Sequence, residues 1–158
     1  MRVIKQGEER QDDWTLPGTE ATEGARLILP LPEWRERSPD AGLSPYGLLL
    51  TTADRVEEVL PAALRSPLVA IEFTDFNDGR GYSLARQLRA AGYAGDVRAV
   101  GEVLRDQAFY LARCGFSSFA PAPRVSGAAF IAGLEDFSLA YQAAADQRTI
   151  VQRLRRAR

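Results

Sequence analysis

The chain has 158 residues, 46% of them apolar and 26% charged, with a formal net charge of −1, the composition of one soluble globular domain. At this length roughly 70% of the unfolded surface can be buried, so neither a disulfide framework nor a structural metal is needed to stabilise a core. Histidine is absent, and cysteine and lysine occur once each, as Cys114 and Lys5, which excludes Ser-His-Asp and Cys-His catalysis, most zinc sites, thiolate-held iron–sulfur clusters and a lysine-bearing phosphate loop.

Residues 1–42 read as an irregular segment, with Pro17, Pro30, Pro32 and Pro39 separating short apolar runs such as Val3-Ile4 and Leu27-Ile28-Leu29; these predict brief strands and turns. Trp14 and Trp34 are expected to anchor this segment to the core. From residue 43 strand-like runs alternate with helical ones, which predicts βα units and a mainly parallel sheet, either flavodoxin-like or a partial βα barrel. Gly47–Thr51 is the first such strand. Asp54 and Glu57 then resemble a capping box for a helix bearing Val56, Val59, Leu60, Ala63 and Leu64, which Pro61 interrupts. Leu68–Phe73 is continuously apolar except for Glu72, as expected of a strand covered on both faces.

After the loop from Thr74 to Gly81, Leu84, Ala85, Leu88 and Ala91 form an apolar stripe closed by Gly92. Asp96–Val100 is the next strand, and the interval of about two dozen residues suits a right-handed crossover between parallel strands. Leu104, Ala108, Leu111 and Ala112 then write a helix capped by Gly115, followed by a short run from Phe116 to Phe119. A last helix spans Phe130 to Ala145, with apolar residues near a 3.6-residue period. The whole predicts a single α/β domain over residues 1–147, its βα core at 43–147, and a basic tail at 148–158 holding five arginines and no acid.

In open parallel sheets ligands bind beyond the carboxyl ends of the strands, which singles out the loops after Phe73 and after Val100. The first carries Asp78, Gly79, Arg80, Gly81 and Ser83; the second carries Arg105, Asp106 and Gln107. Gly79 and Gly81 would let the backbone take positive φ, the helix start would leave amides free for an anion, and Arg80 and Arg105 would grip a carboxylate, phosphate or sulfur oxyanion. The same residues also form a simple structural turn if Asp78 pairs with Arg80 and Ser83 helps cap the helix. Gly79-Arg80-Gly81 is not a dinucleotide fingerprint, because Leu84 stands where the third glycine belongs.

Glu72, an acid in an apolar strand, reads either as a proton carrier or as the partner of an arginine. Cys114, at a helix carboxyl end where the dipole opposes a thiolate, reads as a packed, unreactive thiol. Nothing calls for a flavin, nicotinamide or metal, so no cofactor is expected. The near-neutral charge argues against a nucleic-acid partner. No apolar run of 18 residues is present, so no membrane partner is expected. With its lone cysteine, the protein is expected in the cytoplasm. Self-association is left open by the apolar last helix.

The combination Ile71-Glu72-Phe73, Asp78-Gly79-Arg80-Gly81-Tyr82-Ser83-Leu84-Ala85-Arg86, Leu88-Arg89, Arg98-Ala99-Val100-Gly101, Leu104-Arg105-Asp106-Gln107 and Cys114-Gly115-Phe116 resembles an uncharacterised bacterial domain-of-unknown-function family. Members of that family are typically encoded beside assimilatory sulfite reductase genes and are often labelled oxidoreductases. The resemblance runs from about Leu43 to Tyr141, and Asp13-Trp14 is compatible with it. It implies a role in sulfur assimilation, as a non-catalytic accessory protein whose partner is sulfite reductase, another sulfur-assimilation protein or a small anion. Two alternatives are a histidine-free enzyme working through carboxylates and arginines, and a small-anion or nucleotide sensor.

Overall fold

Short extended runs and amphipathic stripes become strands and helices in a computed structural model that describes residues 1–20, 23–38 and 42–136. The expected last helix beyond Asp136 and the tail at 148–158 lie outside the described residues. The chain opens with strands β1 (Arg2–Lys5), β2 (Glu8–Gln11) and β3 (Trp14–Thr15), then β4 (Arg26–Pro30) and helix α1 (Leu31–Arg37). It continues through β5 (Gly47–Thr51), α2 (Val56–Ala63), β6 (Leu68–Phe73), α3 (Arg80–Ala90) and β7 (Asp96–Gly101). A 3₁₀ turn (Arg105–Gln107) leads into α4 (Ala108–Arg113), and β8 (Ser118–Phe119) and α5 (Gly127–Leu134) follow.

The strands form one sheet in the order β2-β1-β8-β7-β6-β5-β4-β3. Each pairing from β3 through β8 is parallel, whereas β1 runs antiparallel to both β8 and β2, so the sheet as a whole is mixed. A flavodoxin-like sheet reverses strand order partway across. Here β3 to β8 stand in chain order without reversal, and that part of the expectation is corrected. The central pair is the most extensive: β6 and β7 stay in register from Leu68 opposite Asp96 to Phe73 opposite Gly101, so the loops after them leave the sheet at the same edge.

The helices share one face. Trp34 of α1, Val59 of α2, Leu84 and Leu88 of α3, Leu111 of α4 and Phe130 of α5 pack in one cluster with Leu48, Leu50, Val69, Ile71, Phe73, Val97 and Ala99 from the strands. Full burial of such a side chain contributes about 1.5–3 kcal/mol. The alternate strand residues Ile28, Leu68, Ala70 and Val100 face the other way and pack with Trp14, Met1 and Leu16. The two tryptophans therefore anchor the N-terminal segment on opposite faces of the sheet.

That second face also holds a buried cation. Arg98, 1% exposed, pairs with Asp12 and with Asp96 at 3.4 Å, and its Nε donates to the Ser118 hydroxyl at 2.9 Å. Burial alone would raise the Asp96 carboxyl, but hydrogen bonds from Ser117, Lys5 and Ser118 and the charge of Arg98 outweigh it and hold Asp96 below its ordinary value. The network ties β1, the segment before β3, β7 and β8 together.

Several local expectations change. The N-terminal segment is part of the sheet rather than an irregular preface, because Pro30 and Pro32 occupy the N-cap and first turn of α1, where the missing N–H and fixed φ of proline are tolerated. Gln6 and Gly7, both at positive φ, make a two-residue hairpin turn between β1 and β2, the geometry that suits strand twist. Asp54 does not cap α2, whose N-cap is Arg55; its carboxylate instead accepts from the amide and hydroxyl of Thr51. Leu64, expected on the buried stripe, lies beyond the helix end and is exposed.

Candidate functional site

Phe73, at the end of β6, fixes the local geometry. Its ring meets Tyr82 edge-on at 5.5 Å between centroids and lies 5.9 Å from Phe116. A side-chain carbon at Gly81 would fall 2.6 Å from the Phe73 ring, and one at Gly101 would fall 2.4 Å from its carbonyl oxygen. The same carbonyl accepts the Glu102 amide at 2.7 Å. Glycines on both sides of one phenylalanine thus let the start of α3 and the loop after β7 close on the end of β6.

Of the glycines beside Arg80, neither takes the expected positive φ. Gly79 has φ −74 and ψ −8, Gly81 lies inside α3, and it is Gly101 that sits in the left-handed region at φ +88. Gly81 is required by the close approach to Phe73, whereas Gly79 has nothing within 4 Å of a would-be side chain.

Asp78 accepts from Arg80 three times: from the backbone amide at 3.1 Å, from Nε at 2.9 Å and from Nη2 at 2.7 Å. The Arg80 guanidinium first, and the Thr52 hydroxyl second, hold the Asp78 carboxyl far below the usual carboxylate range. The first amide of α3 and the guanidinium beside it are therefore already engaged by Asp78, which an anion would have to displace. Ser83 lies one turn inside α3 and does not cap it, since α3 begins without a side-chain cap.

Arg105 donates to Asp136 at 2.7 Å, so the two loop arginines are each neutralised by their own carboxylate. Gln107 is buried. Its carbonyl accepts the Leu104 amide at 2.8 Å, its amide nitrogen reaches the Phe76 carbonyl at 3.4 Å, and its side chain also bonds Tyr82. It joins the two loops. Glu72 stands opposite Thr51 and Val100, half-buried, and among the described residues its carboxylate has no arginine partner; the expected ion pair is absent there. Glu102 is paired with Arg124, which holds its carboxyl below the ordinary value.

The open space lies next to these groups, between α3 and the 3₁₀ turn with α4. A groove of about 460 Å³ is lined by Phe76, Tyr82, Ser83, Arg86, Asp106, Gln107, Tyr110 and Cys114. It gathers Ser83, Asp106 and Gln107 from the sequence-derived set. Arg80, Arg105, Asp78, Gly79, Gly81 and Glu72 do not line it. Tyr82 and Arg86 are four residues apart on one face of α3, and Asp106 and Tyr110 have the same spacing on the opposite wall, so each pair projects together. Tyr110 is 63% and Phe76 45% exposed, and burial raises the half-buried Tyr82 hydroxyl. Cys114 is buried at the carboxyl end of α4, as expected of a packed thiol.

Phe76, Tyr82, Arg86 and Tyr110 were not picked out by sequence reasoning about strand-end loops. One signal was legible: Tyr110 falls off the stripe of Ala108, Leu111 and Ala112 that packs on the core, which leaves its ring toward solvent. Among the described residues no group of three or more His, Cys, Asp or Glu side chains is placed to hold a metal ion, and no helix is long and apolar enough to cross a membrane.

No curated protein and no solved structure matches the chain. A family model described as "Bacterial protein of unknown function (DUF934)" matches residues 47–151, from β5 onward through every element that builds the groove. The chain belongs to this family of bacterial proteins of unknown function.

Proposed function

We propose that the protein is a non-catalytic accessory factor of assimilatory sulfite reduction, working in the cytoplasm by binding rather than by catalysing a step. The observation that carries this reading is the contrast between the loops and the groove. The cations of the two loops are neutralised by Asp78 and Asp136, while the adjoining groove keeps exposed aromatic surface at Phe76 and Tyr110. Exposed aromatic residues grouped around a depression are the usual anchors of recognition surfaces. The sulfur context comes from the family resemblance of the motifs around Arg80 and Arg105, and it makes sulfite reductase or another sulfur-assimilation protein the expected partner. The oxidoreductase label of that family finds no flavin, nicotinamide or dithiol motif in this sequence. The unbroken strand order from β3 to β8 also supports reading the βα core as an incomplete barrel, with the groove in its helical layer.

Deletion of the gene, followed by growth on sulfite as the sole sulfur source and assay of sulfite reduction, tests the proposal. Reduced growth is expected, restored by the wild-type chain and by Arg80→Gln but not by Tyr110→Ser, and the wild-type chain is expected to co-purify with the hemoprotein reductase. Unchanged sulfite reduction in the deletion strain would overturn the accessory role.

A further inference from the structure

The groove between α3 and α4 differs from the neighbouring loops in how its charges are used. Arg86 on the α3 wall and Asp106 on the opposite wall both line it, and among the described residues neither side chain has an ion-pair or hydrogen-bond partner. Nearby, Arg80, Arg105 and Glu102 are all paired. Phe76 and Tyr110 are likewise uncommitted: neither ring contacts another aromatic ring among the described residues. Tyr82 is held in place by Phe73 and Gln107 and presents a fixed wall.

A volume of about 460 Å³ lies within the 300–1,000 Å³ typical of small-molecule sites. Flat aromatic faces accept a ring by stacking, and every nucleobase has such a face. A single unpaired guanidinium selects an anionic group, preferably a phosphate or carboxylate that it can grip through two N–H groups. An unpaired carboxylate on the other wall selects a hydrogen-bond donor, and leaving either charge unmatched beneath a bound ligand would cost affinity.

Resting on the reading of this groove as the binding surface, we propose that its occupant is a small molecule with a flat heteroaromatic ring, a donor amine at one edge and an anionic group at the other, as in an adenine mononucleotide. The ring lies against Phe76, Tyr82 and Tyr110, the amine faces Asp106, and the anion faces Arg86. Ser83, on the same wall as Arg86, is placed to donate its hydroxyl to the anion.

Titration calorimetry of the full chain with AMP, adenosine and inorganic phosphate as separate probes tests the assignment. AMP is expected to bind, adenosine to bind about tenfold more weakly for want of the charge, and phosphate alone not to bind measurably. Arg86→Gln is expected to weaken AMP about tenfold and leave adenosine unchanged, whereas Tyr110→Ser weakens both. All the altered side chains are solvent-facing, and an unchanged thermal melt confirms that each variant is folded. Failure of both AMP and adenosine to bind at millimolar concentration would overturn the assignment. So would phosphate binding as tightly as AMP, or AMP binding that neither substitution weakens. If AMP binding is lost in Tyr110→Ser but the deletion strain reduces sulfite normally, only the accessory role fails. If Tyr110→Ser blocks complementation but neither nucleoside probe binds, only the ligand assignment fails.

Discussion

Replacing Gly101 by alanine probes the junction that places the two loops. The residue sits at φ +88, and an added Cβ would lie 2.4 Å from the Phe73 carbonyl oxygen, a distance that forces backbone movement. Left-handed conformation costs an alanine about 1–2 kcal/mol. Moving the backbone also weakens the bond from the Glu102 amide to the same carbonyl, 2.7 Å long, and such a bond contributes about 0.5–1.5 kcal/mol. The loss of unfolded-state freedom on replacing glycine offsets about 0.4–1 kcal/mol, leaving a net destabilisation of about 0.5–3 kcal/mol. For a chain of this length each kcal/mol lowers Tm by about 2–4 °C. Urea unfolding followed by circular dichroism reads the difference directly. Gly79→Ala is the control: with φ −74 and no atom within 4 Å, it is expected to stay within about 0.5 kcal/mol of wild type. Equal stability of Gly101→Ala and wild type, or a larger loss at Gly79, would refute the assignment of the strained glycine.

Arg98→Met is expected to destabilise the fold by up to about 3–5 kcal/mol in the same assay, because it strips a buried cation from Asp12 and Asp96 and leaves them, among the described residues, only the N-terminal amine and Lys5 as cations. The carboxyl of Asp96 is held below its ordinary 3.8. Its contribution is therefore complete above that value and is lost as pH falls through the lower folded-state value; wild-type Tm should fall below about pH 4, with a flatter acid limb in Asp96→Asn. The Ser126 hydroxyl accepts the Ala129 amide at 3.2 Å to cap α5, and Ser126→Ala is expected to cost about 1 kcal/mol in urea unfolding.

Much of the βα core was legible because burial on both faces writes an unmistakable pattern. Gly47–Thr51 and Leu68–Phe73 emerge with the bounds read from their apolar runs, and Gly92 and Gly115 end their helices at positive φ. The N-terminal elements were less legible. Prolines that punctuate a turn and prolines that start a helix look alike until the following residues are seen to pack, as Trp34 does. The groove was hardest to read, since Arg86 on one helix and Asp106 and Tyr110 across from it are brought together by packing between segments far apart in the chain.

Composition alone excluded imidazole catalysis and clusters held by several thiolates, and local periodicity alone determined that strands and helices alternate. Tertiary structure decided which charges are spent and which remain available. Whether an arginine is a ligand or a brace depends on the carboxylate that folding places beside it: Asp78 beside Arg80 and Asp136 beside Arg105, but none among the described residues beside Arg86. Coulombic pairing acts over a few ångströms in space, and that distance is set by how strands and helices pack, not by separation along the chain.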